Sequence, residues 1–164
     1  MKKSALFITQ AAMIAALYVV LTVFINAFNL ASGAIQVRIS EMLTILPYFT
    51  PAAIPGLFVG CLISNIVTGC LPWDVVFGSL ATLIGAVGTY LLRNHKFLAP
   101  VPPILSNMII IPFVLMKVYA VPDAYWFLVV TVGVGEIISC GILGMLLLFA
   151  ISPYEEVLFR RNNS

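Results

Sequence analysis

The stretch IQVRISEMLTILPYFTPAAIPGLFVGCLISNIVTGCL, residues 35–71, reads either as one membrane crossing or as two. Prolines at 47, 51 and 55 interrupt it, and an interior proline removes a backbone donor and ends or kinks a helix. Its leading segment, QVRISEMLTILPYF (36–49), carries Arg38 and Glu41 three residues apart. That spacing puts both on one side of a helix.

The pair stands out because its surroundings are nearly chargeless. Of 164 residues, 62% are apolar and 9% charged, with a mean hydropathy of +1.14. A soluble domain is about a quarter charged, so a water-facing surface cannot be built from this composition. The apolar runs are continuous and do not alternate, which indicates an all-α membrane protein and excludes a barrel. Ionisable groups inside a membrane are costly, so Arg38 and Glu41 read first as a functional site.

Charge parity settles the number of crossings. Basic clusters flank spans on the cytoplasmic side, and they occur at Lys2/Lys3, at Arg93/Lys96 with His95, and at Arg160/Arg161. Returning Arg93 to the side of Lys3 requires an even number of crossings, so the proline-rich region must cross twice. The result is a single domain over 1–164, a six-transmembrane-helix bundle with both termini cytoplasmic. Its spans lie at about 5–28, 35–49, 53–70, 75–92, 104–121 and 124–151, with a linker at Asn29–Ala34 and a cytoplasmic turn near Pro51. The first span is long enough, at about 20 residues or more, to be a retained anchor rather than a cleaved signal.

Within that first span Ala11, Ala12, Ala15 and Ala16 form two overlapping small-xxx-small pairs. Such a face packs against another helix of the same bundle or docks a separate membrane subunit. Cys61, Cys70 and Cys140 lie in apolar runs without CxxC or histidine spacing. They read as packing residues, and no metal site is expected.

Topology then sets depth, at about 1.5 Å per helical residue. Arg38 and Glu41 fall near the outer start of the second span, Asn65 in the last turns of the third, and Trp73 and Asp74 at the head of the fourth. Lys117 closes the fifth, and Glu136 lies roughly 18 Å into the sixth. Several have plain explanations: Arg38 and Lys117 can snorkel to the interface, Asp74 can cap its helix, Asn65 can bond across helices, and Trp73 and Trp126 can be interface aromatics. Glu41 and Glu136 resist such accounts. Three acids against Arg38 and Lys117 leave one surplus negative charge, suited to a small flat ligand with several N–H donors and a positive charge. There is no GxxxxGK[ST], HExxH or GxSxG, so neither self-energised transport nor common hydrolase chemistry is indicated.

The runs RISEMLTILPYFTPAAIPGLFVGCLISN (38–65), DVVFGSLATLIGAVGTYLLR (74–93) and LAPVPPILSN (98–107) strongly resemble, in collinear order, the QueT family. These are substrate-binding S components of energy-coupling factor (ECF) transporters. The resemblance implies capture of a queuosine precursor such as preQ1 or preQ0 on the outer side of a bacterial plasma membrane. It also implies partners: a transmembrane coupling subunit and two cytoplasmic ATPases that use the ATP, with no cofactor in this chain and no nucleic-acid partner. In such families the S component is thought to topple in the membrane, and the alanine face resembles the motif by which it docks. PreQ1 is a flat 7-deazaguanine with a cationic aminomethyl arm, which matches the pocket read from the charges. Glu41 and Glu136 would take its N–H edge and its ammonium, in either order. Asp74, Asn65 and Trp73 would add contacts, and Arg38 would orient Glu41 or bind a carbonyl. The alternative is a stand-alone proton-coupled transporter with Glu136 as the proton carrier.

Overall fold

The computed structural model describes residues 2–27, 38–120 and 122–159, and among these there are helices and no strands. The linker Asn29–Ala34, the head of the second expected span at 35–37 and the basic pair Arg160/Arg161 lie outside the described residues. Helix α1 (Lys2–Ala27) precedes a 3-10 segment, Ile39–Tyr48. Three α-helices follow: α2 (Ala53–Val67), α3 (Pro72–Leu91) and α4 (Val101–Lys117). The last rod begins as α5 (Tyr125–Glu136), widens into a π-helical stretch over Ile137–Leu143 and continues as α6 (Gly144–Ile151). A short helix, α7 (Glu155–Phe159), ends the described chain.

Four helical stretches are long and apolar enough to cross a bilayer: Ser4–Ala27, Pro72–Leu91, Lys96–Lys117 and Tyr125–Phe159. Their outward surfaces are greasy, with Val20, Ile84, Ile109, Val130 and Trp126 all more than half exposed. A soluble protein does not show an apolar patch of that extent; lipid-facing helices require it. The other two rods are short. Fifteen residues of α2 span roughly 22 Å, and ten residues of 3-10 helix roughly 20 Å.

The 3-10 segment departs from the ordinary short helix expected at 35–49. It contains Pro47, and 3-10 runs beyond three or four residues are uncommon. Burial sustains it: Leu43, Ile45, Leu46 and Phe49 join Ile14 and Tyr18 of α1, Ala53, Leu57 and Cys61 of α2, Ala86 of α3, and Leu148 of α6 in one core. The Arg38 backbone N–H donates to Ser139 Oγ at 3.1 Å, about halfway along the rod that begins at Tyr125.

Helix α2 seats against α1 through small residues. A Cβ on Gly56 would lie 2.7 Å from the Ala11 carbonyl oxygen, and one on Gly60 would lie 2.9 Å from Tyr18 Cβ. The backbones approach closely because both glycines lack that atom. Ala15 is buried in this seam, whereas Ala12 and Ala16 remain exposed. The expected alanine face is therefore divided between an internal side and an open one. Beside it, Phe7, Ile8, Ala11, Ala12, Pro55 and Val59 border an apolar groove of about 280 Å³.

One end of the bundle gathers the turn after the 3-10 segment, the α3–α4 connector and the C-terminal helix. Gln10 links α1 to both of its neighbours there, accepting from Thr50 Oγ1 at 3.1 Å and donating to the Leu158 carbonyl at 3.4 Å. Phe49 stacks on Phe159 at 5.5 Å, and Phe97 of the connector meets Phe149 at 6.5 Å. At the opposite end are the α2–α3 turn and the segment after α4.

Candidate functional site

The 3-10 geometry builds the first wall of the site. Side chains three apart eclipse in such a helix, so Glu41 and Thr44 line up facing the π-helical stretch. Thr44 Oγ1 donates to the Glu41 carbonyl at 2.6 Å and to Cys140 Sγ at 3.4 Å. Across from it, Glu136 is the last residue before the π-helix widens, and π-bulges recur at functional sites. Cys140, one turn on, directs its thiol to Glu136 Oε2 at 3.1 Å and to the Glu41 carbonyl at 3.5 Å.

Glu41 and Glu136 are thus brought together from elements far apart in sequence. Glu41 is 1% exposed and Glu136 6%. One donor atom each from Glu41, Glu136 and Cys140 lies within 4.8 Å of the others. The Tyr18 hydroxyl, from the middle of α1, donates to Glu41 Oε1. Asn107 of α4 is buried and turns its amide toward both carboxylates. Even so, among the described residues Glu41 Oε2 accepts no hydrogen bond. A buried acceptor left unpaired costs about 1–3 kcal/mol, so this oxygen is poised for a donor from outside the chain.

Arg38 lies close enough to act electrostatically on Glu41, Tyr18, Asp74 and Glu136. It is half-buried and lines a cavity of about 90 Å³ with Tyr18, Thr22, Asn26, Asn65 and Thr68. No ion pair joins Arg38 to Glu41 among the described residues; the tyrosine takes that carboxylate instead.

Asn65 and Asp74 meet over Gly78. A Cβ on that glycine would sit 3.1 Å from Asn65 Nδ2 and 3.6 Å from Asp74 Oδ1. Asp74 does not cap α3 with its side chain; it accepts from the Tyr119 hydroxyl at 2.8 Å, which also receives the Leu71 N–H at 3.3 Å. This clasp holds the α2–α3 turn to the segment after α4.

Trp73 and Lys117 are not part of this assembly. Trp73 is 62% exposed and stacks on Phe77, and Lys117 is exposed at the end of α4. Both are exposed at helix ends, as is Trp126. Without Lys117, three acids face one arginine, and the local surplus is two negative charges. The cysteines also depart from plain packing: Cys61 Sγ accepts from Thr82 at 3.4 Å and from Asn65 at 3.6 Å, and Cys140 touches both acids. Tyr18, Asn107 and Cys140 were not singled out from sequence. A tyrosine or asparagine in mid-span was the available signal, since its polar group needs a partner at that depth.

Residues 8–153 match the model of the family described as QueT transporter. The chain belongs to the QueT transporter family. It is a multi-pass membrane protein. It is also 41% identical over 99 residues to the queuosine precursor transporter QueT of Lactococcus lactis subsp. cremoris (strain MG1363). That match takes in 58% of this chain and 57% of the relative's length. No solved structure matches the chain.

Proposed function

We propose that this chain is the substrate-binding S component of an ECF-type importer and that it captures a queuosine precursor, a preQ1-like 7-deazaguanine. The observation that carries the reading is the convergence of Glu41 and Glu136, both buried, with one carboxylate oxygen left without a donor among the described residues. Because the two acids approach so closely, both address the same cationic, donor-rich end of the ligand. With Arg38 nearby, Glu41, Glu136 and a singly charged ligand sum to zero and Asp74 adds one further negative charge; the charge-assisted hydrogen bonds are strong in a dry site. Asn65, which lines the cavity with Arg38, and Asp74 beside Gly78 would take the remaining edge, and Arg38 a carbonyl oxygen.

The whole chain, 1–164, then forms one membrane domain that crosses six times, with both termini and the Arg93–Lys96 connector cytoplasmic. The two short rods count as crossings on the charge parity of the basic clusters. The exposed Ala12/Ala16 side of α1 docks the coupling subunit, and two cytoplasmic ATPases supply the energy; the chain itself needs no cofactor.

Reconstitution in proteoliposomes tests this reading. Uptake of labelled preQ1 should require the coupling subunit and hydrolysis-competent ATPases, and should persist in the presence of a protonophore. Uptake by the chain alone that a protonophore abolishes would assign it instead to stand-alone proton-coupled transport.

A further inference from the structure

The acid cluster contains a third donor that an organic ligand does not need. Cys140 Sγ lies 3.1 Å from Glu136 Oε2, and the Thr44 hydroxyl donates to that sulfur at 3.4 Å. All three donors are buried, and their ligand atoms lie within 4.8 Å of one another. In a four-coordinate zinc site, metal–sulfur and metal–oxygen distances of about 2.3 and 2.0–2.2 Å put neighbouring donors somewhat closer than that. The independent sign of a ligand is Glu41 Oε2, in a residue 1% exposed and without a partner among the described residues.

We propose that Glu41, Glu136 and Cys140 form a binding site for a thiophilic divalent cation of the zinc class. Two hard oxygens and one soft sulfur suit such an ion better than magnesium or calcium, which prefer all-oxygen shells. The charges also balance. As the metal binds, the Cys140 thiol gives up its proton to solvent and its sulfur becomes a thiolate ligand. Three anionic donors, the neighbouring Arg38 and a divalent ion then sum to zero. Tyr18 on Glu41 Oε1 and Thr44 on the sulfur supply the outer contacts that orient metal ligands. Sequence spacing gave no hint of this, because Glu41 and Cys140 are 99 residues apart and come from a 3-10 helix and a π-helix. The ion and the cationic end of the organic ligand would draw on the same two carboxylates, so each should exclude the other.

The test is titration of the purified full chain, in detergent micelles, with Co2+ as a spectroscopic probe. The expected result is one bound Co2+ per chain with a sulfur-to-metal charge-transfer band. The band should persist in Cys61→Ser and Cys70→Ser and disappear in Cys140→Ser. Glu41→Gln and Glu136→Gln keep every thiol, and each should weaken Co2+ binding by at least the roughly 10–100-fold that loss of an outer-shell partner costs. They decide the matter if the Cys140 variant does not fold. Absence of the band in the wild-type chain, its survival in Cys140→Ser, or unchanged affinity in both glutamine variants would overturn the site.

Discussion

At Glu41 the two carboxylate oxygens have different tasks. Oε1 is held by Tyr18 and Oε2 is free among the described residues. Glu41→Gln and Glu136→Gln should each weaken preQ1 binding by about 1–3 kcal/mol, the cost of leaving a buried donor unpaired. Calorimetric titration of each variant checks this, and unchanged affinity would remove that residue from the site. Tyr18→Phe should act through Glu41, leaving Oε1 bare and lowering ligand affinity by about 1 kcal/mol or more. Equal affinity with a lowered melting temperature would make the tyrosine a packing residue only. Glu41 and Glu136 were legible from sequence because charge in a chain this apolar demands a reason. Tyr18, Asn107 and Cys140 were not, because a single polar residue in an apolar helix carries no sign of which neighbour it meets.

At the scale of elements, proline spacing and charge parity were enough to divide 35–71 into two rods. They did not foretell that the first would be a 3-10 helix, since that conformation depends on burial around Pro47 and not on local propensity. Nor did they foretell the π-helical stretch after Glu136, whose sequence, IISCGIL, reads as ordinary helix. The alanine face shows the same limit. Spacing displayed four small residues, and only packing reveals that Ala15 is spent on α2. Two consequences are open to test. Gly60→Leu should force α1 and α2 apart and destabilise the chain by about 1–3 kcal/mol or more, seen as a lowered melting temperature in detergent. Ala12→Leu combined with Ala16→Leu should leave folding and ligand binding intact while reducing co-purification with the coupling subunit; full co-purification would return that side of α1 to lipid.

For the molecule as a whole, the structure gathers the turn at 49–52, the α3–α4 connector and α7 at one end. The clasp between Asp74 and Tyr119 lies at the other, with the polar cavity on its side of the core. A cysteine placed at Arg93 should therefore resist impermeant maleimides applied outside intact cells and react once the membrane is opened; external labelling would reverse the topology. This chain alone, without partners or ATP, should hold a donor-rich 7-deazapurine on its buried acids. Equilibrium binding of preQ1 to the purified chain, with preQ0, guanine and riboflavin as competitors, measures that claim directly. The account predicts saturable one-to-one binding that riboflavin does not displace and that Glu136→Gln weakens. Absence of binding by any deazapurine, in protein shown to be folded, would contradict it.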